Sequence, residues 1–174
     1  MKNYLFPIVV LLLFTACKQK KSDFILDYPE KKLKKEIITF HENGAPDHIY
    51  YYKIDENGHP TNEKIGEAFF YDDQKPYIGG SLKGHNRDGV WKAFHPNGTV
   101  WTEAFYIDGK EDGDYKVYYE NGNLHHSEQY DNGICVGEWK FYNEQGKLVM
   151  KLKADKNTIV CGKCQKCQSL VVKK

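Results

Sequence analysis

Cysteine supplies the sharpest chemistry in this 174-residue chain. Cys161, Cys164 and Cys167 form a C-x2-C-x2-C run close to the end, and Cys135 stands alone upstream of it. Three thiolates from the run and a fourth from Cys135 would complete a tetrahedral zinc site, and zinc is the one cofactor the sequence suggests. In an oxidising compartment the same four thiols instead pair as disulfides, with three connectivities open. Redox-active thiols are a third use. The seven histidines do less. His125 and His126 are adjacent, so on a strand they should point to opposite faces and not chelate together. His41 and His95 occupy one column of a repeat, where later copies carry Tyr119 and Asn143, which argues for packing or surface chemistry. The loop Glu111-Asp112-Gly113-Asp114 reads as a solvated turn. The sequence contains no G-x-S-x-G, H-E-x-x-H or phosphate-binding loop, and we read the protein as noncatalytic.

The fifth cysteine, Cys17, belongs to export. Lys2 precedes Tyr4–Phe14, an apolar run of 11 residues. That is too short to span a bilayer as a helix, which takes about 20 residues, and it has the size of a signal-peptide core. The segment Leu13-Phe14-Thr15-Ala16-Cys17 resembles a lipobox, with Phe14 where the pattern prefers Leu. The resemblance implies that residues 1–16 are removed and that Cys17 is acylated. Each buried CH2 of an acyl chain contributes about 0.8 kcal/mol, so two or more long chains hold a protein on a membrane. Lys18 differs from the Asp that retains lipoproteins at the inner membrane of enteric bacteria, which favours the outer membrane. Residues 17–36, lysine-rich and without glycine, read as a tether.

The chain beyond the tether must hold any site, and it is repetitive. Gly89, Gly113 and Gly137 recur every 24 residues, and so do Trp91, Tyr115 and Trp139. The same step relates Phe94, Tyr118 and Tyr142, and again Gly98, Gly122 and Gly146. Two weaker copies precede these three, at Phe40-His41-Glu42-Asn43-Gly44 and at Gly66–Tyr71. Each unit reads as a hairpin. A strand near Trp91–His95 meets a turn at Asn97-Gly98, where both residues tolerate positive φ, and a second strand returns over Val100–Tyr106. Asp108-Gly109 through Gly113 should then turn the chain toward the next unit. Glycine, 13 Tyr, 9 Phe and 3 Trp suit strands and tight turns. The fold expected is all-β, an elongated antiparallel β-meander of about five 24-residue hairpins across residues 37–156, followed by a Cys-rich tail, 157–174. One hairpin is marginal alone, so the units must stabilise one another by stacking.

The unit W-K-x-[FY]-[YHN]-x-x-[NQ]-G-x-[VL], followed by Y-x-N-G-x-x-x-G, resembles the bacterial MORN-repeat variant family, the kind labelled the YwqK-type antitoxin component of toxin–antitoxin systems. The resemblance implies a long single-layer sheet used for binding. On this sheet the aromatics Trp91, Phe94, Trp101, Tyr115, Tyr118, Trp139 and Tyr142 are the candidate binding surface. A net charge of +1 gives no general attraction for nucleic acid, and none is expected as partner. The reading is a lipid-anchored, noncatalytic interaction module of the cell envelope, immunity- or antitoxin-like, whose partners are membrane lipid through Cys17 and an envelope protein. The alternative is a metal-binding or redox protein using the C-x2-C-x2-C cluster.

Overall fold

The computed structural model describes residues 32–153, and each regular element there is a strand. The strands are β1 (Leu33–Phe40), β2 (Pro46–Ile54), β3 (Pro60–Phe70), β4 (Pro76–Lys83), β5 (Asn86–Phe94), β6 (Val100–Ile107), β7 (Lys110–Tyr118), β8 (Leu124–Asp131), β9 (Ile134–Tyr142) and β10 (Leu148–Lys153). They form one open sheet in the order β1 to β10, and every neighbouring pair is antiparallel. These are the five hairpins the repeat demands. β1 begins at Leu33, so the end of the segment read as a tether already belongs to the sheet.

The turns use two chemistries, one on each edge. Within a unit, as at residues 95–99, His95 N–H donates to Thr99 O at 2.9 Å and Gly98 N–H to His95 O at 2.8 Å. Gly98 has φ 87 and Asn97 is not in the left-handed region, so this is a three-residue loop with a bulge glycine. Both residues of Asn97-Gly98 tolerate positive φ, and the loop uses it at Gly98 alone. Asn97 works through its side chain, whose oxygen accepts from Thr99 N–H at 2.9 Å. Between units, Asp108 (φ 47) with Gly109 (φ 86), and Asn132 (φ 51) with Gly133 (φ 79), do make two-residue turns with two positive φ values. These match the strand twist directly.

Gly89, Gly113 and Gly137 are not turn residues, which corrects the reading of Asp108–Gly113 as one boundary. They lie inside β5, β7 and β9 with φ of 86, 89 and 71. At each the register shifts. Between the pairs Gly80↔Trp91 and Leu82↔Arg87, residues 88–90 oppose Ser81 alone, and β7 and β9 repeat the arrangement. A positive φ in the strand lets the extra residues bulge out without breaking the pairing on the other side.

Cross-strand partners share a face, so the register shows where the apolar residues go. The pairs Ile49↔Ala68, Ala68↔Gly79, Gly79↔Lys92, Lys92↔Glu103, Glu103↔Lys116, Lys116↔Ser127 and Ser127↔Lys140 run along one face, the back. The pairs Glu67↔Gly80, Gly80↔Trp91, Trp91↔Ala104, Ala104↔Tyr115 and Tyr115↔Glu128 run along the front. Ile49, Tyr51 and Ala68 form a buried cluster on the back of the first two units. Trp91, Ala104 and Tyr106, and then Cys135, Trp139 and Phe141, form clusters on the front of the last three. The apolar side thus changes faces at Gly79-Gly80. Gly80 makes room for the change, since a Cβ there would stand 2.5 Å from the Trp91 ring.

Candidate binding face

The front is closed by its own side chains. Trp91 lies on Gly80, donates from Nε1 to Ser81 O at 2.8 Å, and is covered by the Arg87 guanidinium, 4.0 Å from its ring. Arg87 also reaches the Tyr106 hydroxyl at 3.5 Å, and that hydroxyl donates to Glu111 at 3.3 Å. Further along, Tyr130 donates to the buried Glu128 carboxylate at 2.6 Å, and His126 Nε2 lies 3.4 Å from its other oxygen. Burial and then the Glu128 carboxylate push the Tyr130 phenol far up, and burial raises Tyr106 and Tyr115 as well. Tyr106 and Tyr130 stay neutral and donate. The network has the residue types of an acid–base site, but its donors and acceptors answer one another. That is packing chemistry.

His125 and His126 correct a second expectation. Their Nδ1 atoms are 2.8 Å apart. Val117 pairs with His126 and Tyr118 with Leu124, so His125 is the extra residue of a bulge, and the alternation that would separate the two rings is suspended there. Burial lowers the His125 pKa first, and the neighbouring His126 lowers it further.

The turn edge carries a ladder between units. His41 and His95 meet Phe70 O and Tyr118 O at 2.9 and 3.0 Å. Tyr71 and Tyr119 hydroxyls donate to Phe94 O and Tyr142 O at 2.8 and 2.9 Å. A carbonyl only accepts, so both histidines donate from Nε2. The shared column of His41 and His95 is therefore a joint between repeats. The amides of Asn43, Asn97 and Asn121 add bonds to Asp72 O, Glu120 O and Glu144 O. A column shared by His and Tyr, one repeat apart, was the signal for this ladder.

Of the seven aromatics expected on the binding surface, Trp91 and Trp139 are 2% exposed and Phe94 is 8%, so these three are core and not surface. An indole on a central strand of a twisted sheet folds down over the neighbouring strands, and a 24-residue column cannot distinguish that from display. Tyr115, Tyr118 and Tyr142 are half-buried, and Trp101 is exposed beside His95. Cys135 is buried in the last cluster and is disulfide-bonded. Cys17, Cys161, Cys164 and Cys167 lie outside the described residues, as do residues 1–16 and the tail. Among the described residues no group of three His, Cys, Asp or Glu side chains is arranged to hold a metal, and no helix is long and apolar enough to cross a membrane.

The back of the last three units is left open. Val90 and Phe105, a cross-strand pair, are 46% and 42% exposed, with Ile107 at 47% and Ile134 at 57%. Val90 and Phe105 line a depression of about 370 Å³ together with Glu103, Asp112, Asp114 and Lys116. Lys92 pairs with Glu103 at 2.9 Å and Lys116 with Asp114 at 3.3 Å, which also raises the Lys116 pKa. Half-exposed pairs of this kind contribute little stability. Apolar groups framed by charges of both signs are suited to recognising a complementary surface. Sequence reasoning missed Val90, Phe105, Ile107 and Ile134, since no column of identical residues marks them.

The family model described as the MORN repeat variant matches residues 87–108, 111–132 and 136–153, which are the third, fourth and fifth hairpins. These three units are similar to repeats of that kind. No curated protein matches the chain.

Proposed function

We propose that the protein is a lipid-anchored, noncatalytic binding module of the bacterial envelope, with the back of the last three hairpins as its recognition face and a protein as its partner. The carrying observation is the exposed cross-strand pair Val90 and Phe105, with exposed Ile107 and Ile134 on the same face of a sheet whose opposite face is packed. The MORN-variant repeats support the reading, because stacked repeats build extended surfaces for binding. The signal-like run Tyr4–Phe14 and the lipobox-like segment ending at Cys17 support the anchor, with the outer membrane favoured. Toxin neutralisation at the envelope would be one use of such a face.

Anchor and face are tested separately. Cys17→Ser should abolish the acyl mass on the mature N-terminus and release the protein from the detergent-soluble membrane fraction. Wild type without an acyl chain would overturn the anchor. Wild type should retain a specific protein from its own solubilised envelope, and Phe105→Glu should lose it while keeping its β-sheet circular dichroism. Equal retention by both would overturn the face.

A further inference from the structure

The bulge in β8 brings two imidazole nitrogens to where one ion can hold both. The Nδ1 atoms of His125 and His126 are 2.8 Å apart, and the ring planes stand at 75°. With metal–nitrogen distances of about 2.0–2.1 Å, nitrogens so spaced subtend about 85–90° at the ion. That is the angle between neighbouring ligands of an octahedron or a square plane. A tetrahedral ion would need the nitrogens about 3.3 Å apart. Two imidazoles aimed at one ion at a right angle put their centroids about 4.5 Å apart, and here they are 4.8 Å apart. Both rings are held in place. His125 meets Tyr119 edge-on with centroids at 4.6 Å, and His126 stacks on Phe141 at 5.4 Å. The Glu128 carboxylate, 3.4 Å from His126 Nε2, favours a proton on that nitrogen and so leaves Nδ1 its lone pair. Tyr130 fixes the carboxylate through its other oxygen. Both histidines are partly exposed, so solvent reaches them.

We propose that His125 Nδ1 and His126 Nδ1 together bind one divalent transition-metal ion of octahedral or square-planar preference, Ni2+ or Cu2+, with water in its other positions. Imidazole suits these ions, and their geometry accepts a right-angled pair where tetrahedral zinc does not. Among the described residues no third His, Cys, Asp or Glu side chain is arranged to join the two, so the protein supplies a bidentate site. The ion takes the place of the proton that lies between the rings. That proton passes through water to His125 Nε2, so both rings bind as neutral imidazoles and no proton is gained or lost. Burial, and then His126, lower the His125 pKa, which favours the neutral ring that a metal requires. His126 pairs with Phe141 on the front of the sheet, opposite the proposed recognition face. The metal site is independent of that face.

The test titrates Ni2+, paramagnetic when octahedral, into the full-length protein in detergent, untagged and with its free thiols alkylated. In NMR the ring signals of His125 and His126, assigned through the backbone, should broaden first, at substoichiometric Ni2+. His48 is the internal control. It also lies 3.4 Å from a carboxylate, that of Glu67, but its ring contacts are Tyr50 and Phe69 and not a second imidazole. Its signals should stay sharp. By calorimetry, His125→Asn and His126→Asn should each bind Ni2+ at least about tenfold more weakly, since a lone imidazole loses the effective concentration of the pair. Circular dichroism checks that the variants keep the sheet, and the wild-type broadening pattern decides without them. Broadening shared equally with an exposed histidine such as His59 would overturn the proposal. So would wild-type affinity in either variant.

Discussion

Glycine and histidine show how a residue's role depends on what lies next to it. Gly80 and Gly122 look alike in sequence, yet they are required for different reasons. Gly80 has ordinary φ but no space, with the Trp91 ring 2.5 Å from a hypothetical Cβ. That ring is pinned by its bond to Ser81 and by Arg87 above it, so it does not yield easily. Gly80→Ala should therefore cost about 1–3 kcal/mol of unfolding free energy in urea, as overpacking does. No loss would mean that Trp91 is not seated there. The histidine pair predicts a pH dependence. Two Nδ1 atoms at 2.8 Å hold one proton between them, and the His125 pKa is lowered by burial and by His126. The folded chain then binds fewer protons than the unfolded one. The contribution is full above the unfolded histidine value, about 6.5, and is lost as pH falls through the lowered folded value. Melting temperature should drop between pH 7.5 and 5 by more in wild type than in His125→Asn, and parallel curves would count against the shared proton. Neither relationship was legible in the sequence. The contact of His125 with His126 needs a bulge that only the register reveals, and the role of Gly80 is set by Trp91, a residue of the next strand.

Hairpins were the most legible level. The 24-residue step, the Asn-Gly and Asp-Gly dipeptides and the aromatic columns gave ten strands in sequence order, because a strand of a meander needs only its neighbours and a tight turn. What sequence could not assign was which turn takes which geometry. Asn97-Gly98 and Asn132-Gly133 share a dipeptide, yet one is a three-residue loop with one positive φ and the other a two-residue turn with two. The strand bulges at Gly89, Gly113 and Gly137 were equally hidden, since a glycine near a turn signal reads as part of the turn. Gly122 tests the loop chemistry cleanly. At φ 82, with nothing within 4 Å of where a Cβ would stand, it is constrained by backbone conformation alone. Gly122→Val should cost about 1–3 kcal/mol. Glu120→Ala, two residues away, should stay within about 0.5 kcal/mol. Equal costs in chemical denaturation would refute the loop assignment.

Over the whole molecule the sheet has one layer, yet each end of it buries a different face. The first two hairpins pack on the back through Ile49, Tyr51 and Ala68, and the last three on the front through Trp91, Tyr106, Trp139 and Phe141. A single layer has no second sheet to hide behind, so each unit folds its large side chains over its neighbours, and the other face stays uncovered. That exchange of faces was out of reach of the sequence, because alternation shows which residues share a face within a strand and not which face is covered. It also explains why the Trp91, Tyr115 and Trp139 column misled: it marks the packed side, while the exposed apolar residues of the open side include the unrepeated Val90, Phe105, Ile107 and Ile134. The most direct measurement is photo-crosslinking in living cells. A photoreactive amino acid in place of Phe105 should give a discrete adduct with one envelope protein. The same group at Lys147, on the exposed turn edge, should give none. Adducts of equal yield at both positions, or an adduct only at Lys147, would contradict a recognition face on the back of the sheet.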